Sequence, residues 1–280
     1  MRKHILAVIF VLVAMVLFSA CQDGDGGEGG GSGGNSPVEN KPPSDLKESP
    51  VSDFEYRAIG GGIEITKYVG TSIRVRIPEK IEGVAVTVIG RYAFSESGIM
   101  EVYIPNSVTE IDQGAFSSNT GLTSVTIPNS VTSIGYSAFW RCTGLTSVTI
   151  GNSVKSIGER AFEDCTGLTS ITIPDSVTEI GRGAFVGCEN LTATYKGVTY
   201  SVAEEKTRRE ELDKAIKSEA ERIRSEYFAA NPGAGLDSEY VWEAVSEALG
   251  IGEDVIQRFR WGENSALDLL QEFYDAVNGR

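Results

Sequence analysis

One histidine, His4, and four cysteines, Cys21, Cys142, Cys165 and Cys188, bound the chemistry open to this chain of 280 residues. Nucleophilic catalysis by serine or cysteine commonly needs an imidazole beside it. His4 sits in an N-terminal segment that reads as one to be removed, so neither that pairing nor a histidine metal site is expected. Cys142, Cys165 and Cys188 stand 23 residues apart. Zinc sites use closer pairs, with about two to four residues between the thiols. The wide, even spacing predicts instead small buried thiols filling one notch in successive turns of a repeat. Asp23, Asp25 and Glu28 lack the ligand spacing of a calcium loop. No P-loop or dinucleotide fingerprint is present, and Gly60-Gly61-Gly62 precedes a strand-like segment, so it reads as a hairpin turn. A carboxylate pair for glycoside hydrolysis would need acids on the strand faces, where this chain places serine and threonine. The expectation is a protein that is not an enzyme, with no catalytic residue, no metal and no cofactor.

The elements that position these residues repeat. Leu122, Leu145, Leu168 and Leu191 recur every 23 residues, in step with Ile127, Ile150 and Ile173, with Ile134, Ile157 and Ile180, and with Phe116, Phe139, Phe162 and Phe185. A fixed period of this length marks a solenoid, in which each repeat buries its apolar face on its neighbours. Within one unit Val148 and Ile150 alternate with Ser147 and Thr149, which predicts a short strand with one buried face. The apolar spacing then opens through Val154, Ile157, Ala161 and Cys165, predicting a turn or short helical segment over the strand layer. Gly135, Gly158 and Gly181 form a column where the backbone is expected to need a dihedral closed to other residues. Pro105, Pro128 and Pro174 follow the strands and end them. A lone 23-mer exposes about half its apolar surface and cannot offset an ordering cost of roughly 1.5 kcal/mol per residue. A row of them shares that surface.

The stretch Leu122 to Gly144 and its two successors resemble the BspA-like (treponemal-type) leucine-rich repeats. So do the flanks. Ile77 to Gly90 with Ala93-Phe94 is similar to that family's longer first unit, and Tyr195 to Tyr200 to its closing hairpin. Departures are few: Ser97 and Asn119 stand near the cysteine column, Asp112 replaces a column glycine and Gly151 a column proline. The resemblance covers residues 54–200. It implies a right-handed solenoid with a parallel strand ladder, of a kind often displayed on bacterial surfaces, with some relatives described as adhesins.

Residues 1–21 read as a targeting segment. Arg2 and Lys3 precede an apolar run from Ile5 to Phe18, shorter than a membrane span of about 20 residues. Ser19-Ala20-Cys21 looks like a bacterial lipobox, which predicts cleavage before Cys21 and its lipidation; an ordinary secretory cleavage is the plainer alternative. Residues 22–53, rich in glycine, proline and serine, read as a flexible tether. The acidic run after Cys21 resembles export signals of some surface lipoproteins. The expected location is therefore the cell envelope, on the outer membrane facing the exterior, with membrane contact through the lipid anchor only.

Residues pointing away from the core form columns: Arg74, Glu101, Ser124, Ser147, Ser170, and Arg76, Tyr103, Thr126, Thr149, Thr172. A solvated hydroxyl ladder is one reading; a contact face is the other. Arg74, Arg76, Glu101 and Tyr103 break the serine and threonine rule, and Trp140 stands where other units carry Ser117, Glu163 and Val186. These departures, with Thr126, Thr149 and Thr172, are the candidate binding residues. Net charge is −14 with no basic cluster, which argues against nucleic acid.

After Tyr200 the pattern turns helical. Residues 203–230 place Leu212, Ile216, Ile223 and Tyr227 on one face; a second helix, capped at Asp237 or Ser238, carries Val241, Trp242, Val245 and Leu249 and stops at Gly250. Two more are expected at 253–260 and from Ser265, and residues 201–280 read as a small helical bundle. The fold class expected is α+β: a leucine-rich-repeat solenoid followed by an all-α bundle. The function expected is non-catalytic binding of a protein or glycan through the solenoid face at the cell surface. The alternative is an envelope scaffold holding partner proteins.

Overall fold

The structure is a computed structural model that describes residues 39–232 and 238–250. Cys21, the targeting segment and the helices expected beyond residue 252 lie outside these residues. The fold opens with an antiparallel pair, β1 (Phe54–Ile59) and β2 (Gly62–Tyr68), joined through Gly60-Gly61 as the glycine triplet predicts. The chain then winds in turns that each contribute two short strands. One set is β3 (Arg74–Arg76), β6 (Glu101–Tyr103), β8 (Ser124–Thr126), β10 (Ser147–Thr149), β12 (Ser170–Ile173) and β14 (Thr192–Tyr195). The other is β4 (Lys80–Ile81), β5 (Val84–Ile89), β7 (Glu110–Ile111), β9 (Ser133–Ile134), β11 (Ser156–Ile157) and β13 (Glu179–Ile180).

Both sets stack rung on rung. β2, β5, β7, β9, β11 and β13 pair in parallel along one ladder, with β4 antiparallel on β5. β8, β10, β12 and β14 pair in parallel along the second, and β15 (Val198–Ser201) returns antiparallel on β14. Lys196 and Gly197 between them both take positive φ, 49° and 76°, as a two-residue hairpin turn requires. β3 and β6 pair with each other as a separate two-stranded ladder.

The segments between the ladders are hydrogen-bonded turns, not helix. Ser137 (φ 51°) and Arg141 (φ 56°) are left-handed in one unit, Arg160 (57°) and Asp164 (60°) in the next. A left-handed residue every fourth position ends any helical turn. The donors pair with the neighbouring repeat instead: the amides of Phe116, Phe139 and Phe162 donate to Ala138, Ala161 and Ala184 carbonyls at 2.7–2.8 Å. The glycine column also has a different cause from the one expected. Gly135, Gly158 and Gly181 do not take positive φ. A Cβ on Gly158 would stand 2.6 Å from the Gly135 carbonyl carbon, and one on Gly181 2.3 Å from the Glu159 nitrogen. These glycines let successive turns approach closely; the dihedral demand falls two residues later.

The core is one continuous spine. Tyr68, Phe94, Phe116, Phe139, Phe162 and Phe185 stack in order with ring centroids 5.1–5.3 Å apart. The leucine column Leu122, Leu145, Leu168 and Leu191 is fully buried beside it. Each stacked pair adds about 0.5–1.5 kcal/mol beyond area burial. Phe54 meets Tyr68 and Phe94 and closes the N-terminal end.

The cysteines behave as a structural column. The thiols of Cys142, Cys165 and Cys188 donate to the carbonyls of Phe116, Phe139 and Phe162, each one turn back, at 3.1–3.3 Å. Asn119 takes the same place one turn earlier, its amide donating to Phe94 and Phe116 carbonyls. Burial pushes the Cys142 and Cys188 thiols up to about 12, and Cys165 further the same way. Protonated thiols are donors here, not nucleophiles or ligands.

Among the described residues the chain divides into two compact units, with the boundary between Lys206 and Thr207 falling inside the first of two helices. α1 (Val202–Ala230) begins on Ser201, whose hydroxyl accepts the Glu204 amide at 3.4 Å, a serine-to-glutamate capping arrangement. α2 (Ser238–Leu249) ends at Gly250 in a left-handed conformation, φ 65°. Ile216, Ala220 and Ile223 of α1 pack with Val241, Val245 and Leu249 of α2, with Leu212 and Trp242 at the margin. No helix among the described residues is long and apolar enough to cross a membrane.

Candidate functional site

Strand register aligns the outward columns read from the sequence. Ser124, Ser147, Ser170 and Thr192 stand side by side, as do Thr126, Thr149, Thr172 and Thr194. Successive rungs in such a ladder are about 4.8 Å apart. Over β10, β12 and β14 these residues line a shallow, open trough of about 370 Å³, with Asn152 and Pro174 on its edge. No charged side chain lines it.

The hydroxyl residues of the solenoid are used differently. Thr109, Thr132 and Thr146 donate their hydroxyls to backbone carbonyls one turn back, at 3.0–3.3 Å, and serve the fold. Ser147, Thr149, Ser170 and Thr172 are exposed and have no partner among the described residues. Each hydroxyl can donate and accept. The trough therefore offers paired rows of uncommitted donors and acceptors on a rigid base, suited to a polar, uncharged stretch of a macromolecule. Thr126 continues its row as a half-buried residue outside the trough.

The other candidates lie elsewhere. Arg74, Arg76, Glu101 and Tyr103 stand together on β3 and β6, where Tyr103 is buried, Arg76 and Glu101 are half-buried and Arg74 stays exposed. Residues 40–49, expected as part of a flexible tether, pack on them. Arg74 donates to Asp45 at 2.8 Å and pairs with Glu101. Its guanidinium holds the Asp45 carboxyl below the usual range. Leu46 is 5% exposed. Tyr103 is 7% exposed, with the Arg76 guanidinium 5.8 Å from its ring centre, and burial raises its hydroxyl above the usual tyrosine value. The tether gives way here because Leu46 gains apolar burial and Asp45 a cation. Trp140 is in the turn between β9 and β10, half-buried, with Arg141 4.5 Å over its ring and Arg141 within 3.5 Å of Asp164. The candidate residues thus fall into three groups: the trough rows, the β3–β6 cluster and Trp140 in its turn.

Leu46, the one leucine between residues 22 and 50, was the available signal for the packed segment. No group of three or more histidine, cysteine or acidic side chains that could hold a metal ion occurs among the described residues.

The BspA type leucine rich repeat region matches residues 85–201 in six copies. A leucine rich repeat protein of T. pallidum is similar in structure at a TM-score of 0.52 and 30% identity, over 54% of this chain and 83% of that one. This chain belongs to the BspA type leucine-rich repeat family. A leucine-rich repeat protein from Bacteroides ovatus is 32% identical over 52% of this chain and 40% of its own, with a TM-score of 0.47. A leucine rich cell surface protein from Faecalibacterium prausnitzii is 27% identical over 55% of this chain and 59% of its own, with a TM-score of 0.33. No curated protein matches. BspA type repeats share the logic of other solenoids: each unit contacts only its neighbours, and the stack presents an extended face suited to interaction.

Proposed function

We propose that this protein is a lipid-anchored, non-catalytic surface protein that binds a macromolecular partner, protein or glycan, through the trough on β10, β12 and β14. The observation that carries the reading is the double row Ser147/Ser170 and Thr149/Thr172, whose hydroxyls the fold leaves unused while it engages Thr109, Thr132 and Thr146. A buried donor or acceptor must be matched when a partner covers it, so such a wall selects polar ligands by geometry more than by charge. Anchoring rests on Cys21 and the segment before it.

Three experiments test this. Full-length protein with Thr149→Lys and Thr172→Lys should keep its fold by circular dichroism and lose capture of its partner from host extracellular material. Capture undiminished by both lysines removes the trough from the mechanism, and capture only from the cell's own envelope favours the scaffold reading. Cys21→Ala should release the protein from the membrane fraction, and protease added to intact cells should remove residues 54–280.

A further inference from the structure

β3 and β6 are built unlike the rest of their ladder. They pair with each other and not with β8, and their outward positions carry Arg74, Arg76, Glu101 and Tyr103 in place of serine and threonine. Residues 40–49 lie across them in a fixed order. Asn40 donates to the Ile104 carbonyl at 2.8 Å and to Asn106 at 3.0 Å, and its own carbonyl accepts from the Tyr103 hydroxyl at 3.5 Å, all at the β6 rung or just past it. A turn closed by the Leu46 amide on the Pro43 carbonyl, 3.0 Å, then brings Asp45 to Arg74 and buries Leu46. The Leu46 carbonyl accepts from Arg76 Nη1 at 3.4 Å. Ser49 closes the segment on the β3 edge: its amide donates to the Arg76 carbonyl at 3.0 Å and its hydroxyl accepts the Arg76 amide at 3.1 Å.

This is the geometry of a bound peptide: an acid on an arginine, one apolar anchor, and backbone pairing to a strand edge. The occupant is imperfect. Arg76 Nε is buried without a hydrogen-bond partner, and the bond from Nη1 is long. Arginine is suited to two parallel bonds with a carboxylate, and the segment presents only a carbonyl there.

We infer that the β3–β6 end of the ladder is a peptide-binding site, held in cis by residues 40–49, which takes a proline-containing, acidic, leucine-bearing peptide of a partner protein once that segment lifts. The site is separate from the trough and stands whether or not the trough binds anything. A peptide with a second acid reaching Arg76 displaces the cis segment by satisfying the guanidinium that the segment leaves half-paired. Until then the cis segment, tethered beside its site through Pro50, competes at an effective concentration on the order of millimolar.

The test uses the full chain and a labelled peptide of residues 40–49, Asn-Lys-Pro-Pro-Ser-Asp-Leu-Lys-Glu-Ser. The full chain with Asp45→Lys and Leu46→Asp should bind this peptide at least tenfold more tightly than the unaltered chain, whose own segment excludes it. Arg74→Glu added to that variant should weaken binding tenfold or more, and the same peptide with its aspartate changed to lysine should not bind. Equal binding to altered and unaltered chains, or binding indifferent to Arg74→Glu, overturns the inference. If the double variant loses its strand signal by circular dichroism, Asp45→Lys alone, at an exposed residue, carries the same comparison.

Discussion

The two stretches of the outward ladder occupy equivalent positions and do opposite things with them. On β10 and β12 the outward side chains are Ser147, Thr149, Ser170 and Thr172, exposed and unpaired. On β3 and β6 they include Arg74, Arg76 and Tyr103, which are hydrogen-bonded to residues 40–49. A departure from a repeat's consensus is easily read as an external binding site. Here the departing residues also have a partner within the same chain. The converse also holds: monotonous serine and threonine, the bland positions of the repeat, are the ones left free.

The interior differs along the same axis, and alkali should expose it most strongly. The open stretch keeps Cys142, Cys165 and Cys188 in the notch where the covered end has Ser97 and Asn119. Each thiol stays protonated in the fold with a raised value, about 12 for Cys142 and Cys188, while an unfolded thiol ionises near 8.5. Their contribution is whole below about pH 8.5 and drains as pH rises toward 12, on the order of 1.4 kcal/mol per thiol per pH unit. Amide exchange should accelerate at Val148 and Ile171 before Val102 as the solution is made alkaline. Uniform acceleration would show that the column does not set the difference.

Phe139→Ala should cost about 3–5 kcal/mol by denaturant titration, since it opens a void in the spine both stretches share. A loss confined to one end would mean the stack is less cooperative than its continuous spine implies. Leu46→Ala should cost about 2 kcal/mol and should open the covered end alone, read as faster exchange of the Ser49 and Arg76 amides. Acid should act in the same direction and more weakly. Asp45 is held below its ordinary value, so its contact is whole above about pH 3.9 and is lost as pH falls below it. The smallest effect on stability is expected for Thr149→Ala with Thr172→Ala, within about 0.5 kcal/mol each. The same pair should weaken partner capture, which separates a functional row from a structural one.

Much of this was legible because the repeat is written in residue types with one physical use each. The phenylalanine and cysteine columns have a period and no alternative burial, so spine and notch follow from spacing alone. The turn segments were harder. Val154, Ile157 and Ala161 carry helical spacing, but Arg160 and Asp164 adopt left-handed φ although nothing in their side chains demands it. Neighbouring turns impose that conformation by supplying hydrogen-bond partners one repeat away. The position of the glycine column is legible in the sequence but its cause is not, for a related reason: steric approach between turns is a property of the stack, not of the dipeptide.

The amino-acid sequence by itself determined the repeat length, the buried columns, the hairpin at Gly60-Gly61 and the two described helices after Tyr200, since periodicity and turn chemistry are local. Only the tertiary structure decided which outward residues face solvent. A polar side chain on a strand reads the same whether water, Leu46 or a neighbouring carbonyl lies beyond it, and that distinction is made by segments far away in the chain.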